Sequence, residues 1–148
     1  MRRVILTALF ATLLLVAPAV AAAKLPGVLT GSRFVVRPSI IDYTGDASAI
    51  VGGRDGSGIN HPGHLKWTTY NKRQGIATGT IWIDNCVPNC AQGRFTGNRV
   101  KVNAYSPSSG HFRRVKLTYN YQGHDHVDLL ELERFNGPNG PIYQYSIR

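Results

Sequence analysis

Cys86 and Cys90, with three residues between them, hold the two thiols of the chain. As thiolates they could join His61 and His64 (His-Pro-Gly-His) or His124 and His126 (His-Asp-His) in a ligand set that suits zinc or Cu(I). Exported copper-handling proteins use a similar cysteine spacing, but a proline usually follows their second cysteine, and Ala91 stands there in this chain. As a disulfide, the same pair would close a five-residue loop in which Pro88 and Asn89 are good turn formers. The choice between metal and disulfide depends on the compartment.

The first residues address that. Met1-Arg2-Arg3 is a short basic start, residues 4–20 are almost wholly apolar, and Ala21-Ala22-Ala23 supplies small residues just before Lys24. This order reads as a secretory signal peptide over residues 1–23, cleaved after Ala23 or, as second choice, after Ala21. An uncleaved anchor fits less well, because the apolar stretch is at the lower limit for spanning a bilayer and contains Thr7, Thr12 and Pro18. No cysteine follows it to carry a lipid, and Arg2-Arg3 lacks the context of a twin-arginine signal. The expectation is a secreted, extracellular protein with a single domain over residues 24–148 and no membrane span after cleavage. In that oxidising setting Cys86 and Cys90 are expected to form a disulfide, with no metal and no cofactor.

Catalytic chemistry finds little purchase. Ser57 sits in Gly-Ser-Gly, but the strand-to-helix setting of a G-x-S-x-G nucleophile is missing. Cleavage of a glycan needs two carboxylates flanking a bond, for which Asp42, Asp46, Asp55, Asp84, Asp125 and Asp128 qualify by type alone. The glycines from Gly52 to Gly58 have neither phosphate-loop nor dinucleotide spacing. A secreted hydrolase acting on an envelope polymer therefore ranks, with the soft-metal protein, behind a non-catalytic binding or structural module of the envelope or medium.

Two surfaces are candidates for binding. The first is the disulfide loop, where Asn85, Asn89 and Gln92 offer hydrogen-bonding groups, Trp82 an aromatic anchor and Arg94 a charge. Loops set on a rigid β scaffold commonly carry recognition. The second follows from the charge balance of 17 Lys+Arg against 8 Asp+Glu, a net +9 that loses two with Arg2 and Arg3. Arg99, Lys101, Arg114 and Lys116 fall on one face of a hairpin, where they would attract an anionic envelope polymer unless Glu131 and Glu133 on a neighbouring strand neutralise them. Another extracellular protein is the other class of partner; export makes specific nucleic-acid binding unexpected.

The elements that would hold these residues are strands. Val100, Val102 and Ala104 alternate with Arg99, Lys101 and Asn103, and Val115, Leu117, Tyr119 and Tyr121 alternate with Arg114, Lys116, Thr118 and Asn120. Period-2 runs on either side of Ser106-Pro107-Ser108-Ser109-Gly110 predict a hairpin. Further strands are expected over residues 33–37, 48–51, 65–70, 76–84 and 142–147. Residues 129–135 are read as a strand although Leu129 breaks the phase of Leu130 and Leu132. Residues 52–58 and 137–141 read as turns or loops. About eight short strands imply an all-β antiparallel sandwich or small barrel.

Read in order, Pro38-Ser39-Ile40-Ile41, Thr44-Gly45-Asp46-Ala47-Ser48, Leu65-Lys66-Trp67-Thr68, Ala77-Thr78-Gly79-Thr80 and Asn85-Cys86-Val87-Pro88-Asn89-Cys90-Ala91-Gln92-Gly93 form a pattern. It resembles an uncharacterised group of small exported actinobacterial proteins, over most of residues 24–148, and the N-x-C-x-P-x-C-A-x-G element is its most specific part. Tyr70 stands where the group would have a second Trp. The resemblance implies export and a β fold, and brings no activity, ligand or catalytic residue with it.

Overall fold

The computed structural model describes residues 24–42, 44, 48–53 and 60–148. Residues 1–23, expected to be a signal peptide, Asp46, Asp55, Ser57 and most of the glycine-rich 52–58 segment lie outside the described residues. Among those described there is no helix, and ten strands form: β1 (Val28–Thr30), β2 (Arg33–Val35), β3 (Ile41–Asp42), β4 (Ala49–Val51), β5 (Lys66–Tyr70), β6 (Gly75–Asp84), β7 (Phe95–Ser108), β8 (His111–Tyr121), β9 (His124–Gly137) and β10 (Gly140–Ile147).

The predicted hairpin is the centre of the sheet. Val100, Val102 and Ala104 of β7 lie opposite Tyr119, Leu117 and Val115 of β8, so one side of the pair is apolar and the other carries the charges. The turn is tighter than the sequence suggests. Ser108 pairs with His111, leaving Ser109 and Gly110 as a two-residue loop with φ of 51° and 77°. Positive φ at both positions is the I′ geometry that matches strand twist, and Gly110 meets it without a Cβ penalty. Gln122 and Gly123 repeat the device between β8 and β9, with φ of 53° and 83°.

The main sheet is antiparallel and runs β10-β9-β8-β7-β6-β4-β3, with β5 pairing the lower part of β6. It curls into a half-barrel, and the β1–β2 pair forms a second, small sheet. The all-β antiparallel expectation thus holds. β6 to β9 are longer than the short strands expected, at 10 to 14 residues each, because their pairing continues past the alternating runs to Asp84–Phe95 above and Ser108–His111 below.

The core fills the concave side. Ala77 and Ile81 from β6, the alternating residues of β7 and β8, Leu130 and Leu132 from β9, and Tyr145 from β10 meet Val28, Leu29, Ile41 and Val51. Burying a large apolar side chain of this kind contributes about 1.5–3 kcal/mol. Leu129 is no break in phase. Leu130 takes the core position, and Leu129 is left on the convex side, 41% exposed, opposite Lys116.

β1 has no alternating run to announce it, and long-range contacts hold it. Gly27 donates its N–H to the Gly110 carbonyl at 2.9 Å and accepts from Phe112 N–H at 2.9 Å. The Tyr70 hydroxyl donates to the Pro26 carbonyl at 2.7 Å. The Tyr145 hydroxyl accepts from Leu29 N–H and donates to the Phe112 carbonyl, both at 3.4 Å. Burial pushes the Tyr145 phenol well above the ordinary tyrosine range, so it stays a neutral donor.

Candidate functional site

The disulfide loop joins β6 to β7 at one end of the sheet, and Cys86 and Cys90 are bonded in it. With the sulfurs bonded to each other, neither is a thiolate for the soft-metal set. Two of the four histidines of that set are engaged elsewhere: His61 stacks on Trp82 with centroids 4.4 Å apart, and His126 stacks on Tyr119 at 5.4 Å.

The polar side chains of the loop mostly serve the loop. Asp84, buried at its base, accepts the N–H of Cys86 at 3.0 Å. The side-chain oxygen of Asn85 accepts from Val87 N–H at 3.2 Å and Arg94 N–H at 3.0 Å. Asn89 donates its amide to the Gln92 side chain at 3.0 Å and accepts Gln92 N–H at 3.1 Å. Gly93 lies hard against the Asp84 carboxylate, where a Cβ would collide with it. These bonds satisfy backbone groups that no ladder reaches. Arg94 is different. Its N–H and carbonyl are both held by Asn85, while its side chain is exposed and forms no hydrogen bond or ion pair among the described residues.

Trp82 lies on the convex side of β6, outside the core. Its indole N–H donates to the Pro62 carbonyl at 3.2 Å, and its ring covers Gly97, where any Cβ would meet it. With His61 and Phe95 it makes an aromatic cluster at the upper end of that face.

Below the cluster the convex face is basic. Ladder pairing runs Lys66–Thr78–Lys101–Thr118–Val127 across β5 to β9, with Thr80–Arg99 on one side and Ile76–Asn103–Lys116–Leu129 on the other. Lys66, Arg99, Lys101 and Lys116 are exposed and form no ion pair among the described residues. Tyr105–Arg114–Glu131–Ser146 is the next row. Here Arg114 reaches Glu131 at 3.5 Å, and Arg148 contacts Glu131 at 3.1 Å and Glu133 at 3.4 Å. The four cations expected on one face do share it. Of these, Arg114 alone is neutralised, because the C-terminal Arg148 occupies both glutamates.

A cleft of about 140 Å³ lies at the opposite end of the sheet, lined by Ser108, Ser109, His111, Arg113, Leu132, Arg134 and Tyr143. Sequence reasoning missed it, because the alternation of β8 breaks at this end: Phe112 is fully buried while Arg113 and Arg114 are both exposed. His111 stacks on Phe34 at 3.6 Å, and Phe34 meets Tyr143 edge-on at 5.2 Å. Burial, and to a lesser degree the Lys24 charge, hold the His111 imidazole below the ordinary histidine range, against a raising contribution from the Gly110 carbonyl.

Among the described residues the remaining carboxylates do not gather. Asp125 accepts from the Asn120 amide at 3.0 Å, and Asp128 accepts from the Tyr119 hydroxyl at 2.9 Å. Asp42 borders another cleft, of about 230 Å³, beside Thr44 and Tyr145, where partial burial raises its carboxyl above the usual range and the Gly31 N–H opposes that shift. No known protein family matches the chain, and no curated protein or solved structure is significantly similar to it.

Proposed function

We propose that the chain is an exported, non-catalytic binding module of the cell envelope or medium, holding an anionic polymer on the convex face of its sheet. One observation carries this reading. Among the described residues Arg99, Lys101 and Lys116 stand exposed and unpaired, while Glu131 and Glu133 are drawn away by Arg114 and Arg148. The patch lies on the convex side and interleaves its cations on β7 and β8 with Thr78, Thr118 and Asn103. Cations set among hydroxyl and amide groups suit a polymer that carries both negative charges and hydrogen-bonding groups. Retention on immobilised polyuronate should be strong at low ionic strength and fall steeply as salt rises. Reversing Arg99, Lys101 and Lys116 to Glu should abolish it. Retention that ignores salt, or survives the reversal, removes the reading.

A second surface has its own observation. The backbone of Arg94 is clamped on both sides while its guanidinium is free, the arrangement of a contact presented by a fixed loop. In this reading the disulfide loop is the recognition edge for an extracellular partner, and Arg94→Ala lowers partner affinity without moving the melting temperature.

A further inference from the structure

We propose that the cleft between β8, β9 and β10 binds a tetrahedral oxyanion ester, a phosphate or sulfate group carried on a small polyol or sugar. The site lies on the other side of the sheet from the convex basic face, and its case stands apart from the polymer reading.

The polar part of the lining is rich in donors. Arg113 comes from β8 and Arg134 from β9, Ser108 and Ser109 edge the turn, Tyr143 is on β10, Leu132 is apolar, and among the described residues no carboxylate lines the cleft. Alternation along β9 explains the sorting. Leu132 and Arg134 point to the concave side, while Glu131 and Glu133 point to the convex side and pair there with Arg148. The cations of the cleft are thereby cut off from the nearest acids of their own strand.

Arg113 is also fixed. One of its terminal nitrogens donates to the Leu132 carbonyl at 3.2 Å, which orients the guanidinium and leaves its other donors available. Arg134 sits opposite Tyr143 in the ladder and, among the described residues, forms no hydrogen bond or ion pair. Two guanidiniums brought together without a counter-charge repel each other, and an anion between them relieves that cost.

Shape narrows the chemistry. The donors arise from two strands, a turn and a third strand, so they approach from several directions. A group with three terminal oxygens can meet them; a planar carboxylate has only two. The Phe34–His111–Tyr143 stack gives the cleft a rigid aromatic wall, suited to the carbon skeleton of the ester rather than to a bare ion. A volume of about 140 Å³ takes one such group with its adjoining carbons, so the ligand is a terminal unit or a free small molecule. Because burial keeps His111 neutral near pH 7, its role is to complete that wall, with the arginines supplying the charge.

The test is titration of the purified protein with glucose 6-phosphate, glucose 6-sulfate, glucuronate and inorganic phosphate, followed by calorimetry and by amide shifts at the 108–113 turn. Saturable binding of either tetrahedral ester, at least tenfold tighter than glucuronate or inorganic phosphate, is expected. Preference between the esters identifies the source: a phosphate ester tightens as pH rises through about 6, where its second proton leaves, and a sulfate ester does not. Arg134→Gln should weaken binding at least tenfold with an unchanged melting temperature, and Arg134→Lys should restore part of it. The Arg99, Lys101 and Lys116 reversal should leave ester binding intact, so failure of one site is distinguishable from failure of the other. Equal affinity for glucuronate, undiminished binding by Arg134→Gln, or no saturable shift with either ester overturns the proposal.

Discussion

The disulfide loop and the cleft sit at opposite ends of the same sheet, and both are rich in polar side chains. In the loop, Asp84, Asn85, Asn89 and Gln92 bond to neighbouring loop groups, and little apolar packing is available because Val87, Pro88 and Cys90 face solvent. At the cleft end the chain is held by apolar packing. Phe112 is fully buried, meets Tyr70 edge-on at 5.7 Å, and is tied to Gly27 through its backbone. Packing fixes that end, so its polar side chains are left to face outward. A loop that must build itself from hydrogen bonds has few left for a partner; a turn anchored by a phenylalanine keeps them.

The contrast has measurable consequences. The largest is at Phe112. Its truncation to Ala should cost about 3–5 kcal/mol in urea unfolding and loosen the cleft with it. A loss no greater than that from opening the loop would mean that packing is not what separates the two ends.

Opening the loop should matter less. Replacing Cys86 and Cys90 together by Ala frees a five-residue closure, worth about 2 kcal/mol in the chain-entropy model, and the variant should remain folded. Hydrogen exchange should then rise over residues 85–94 and stay unchanged at residues 108–113. Global unfolding, or exchange spreading to the far end, would show the bridge supporting the whole sheet.

The smallest effect concerns pH. His111 has its pKa lowered in the folded protein, chiefly by burial, so the unfolded chain binds the proton more readily. Stability from this group is full above the ordinary histidine pKa of about 6.5 and falls as pH drops below it toward the folded value. His111→Gln should flatten that slope relative to the unaltered protein, with the difference confined to the window below about 6.5. An equal slope in both would remove His111 as its origin.

Much of this architecture was legible in the residues. The alternation of Val100 to Ala104 against Val115 to Tyr121 specified a hairpin, because a one-residue slip would turn every apolar side chain outward. The disulfide and the shared face of Arg99, Lys101, Arg114 and Lys116 followed from local spacing. What could not be read depends on groups far apart in sequence. Arg113 and Arg134 become neighbours only through the β8–β9 register, and the fate of Glu131 turns on Arg148 at the end of the chain. Trp82 shows the same limit: the sequence offers it as an aromatic anchor, and only the fold shows its indole tied to Pro62 on the convex side.

The seating of β1 also sets a timetable. Synthesis delivers Val28 and Leu29 among the first residues of the domain, yet the Tyr145 hydroxyl that receives Leu29 N–H lies 116 residues later. Until β8 and β10 exist, the opening segment has its pairing with β2 but lacks the backbone partners that Gly110, Phe112 and Tyr145 supply. Contacts of such separation form late and slow the whole reaction. A nascent chain halted a few residues short of Tyr145 would hold nearly all of its sheet and still lack the one hydroxyl that fixes Leu29 N–H.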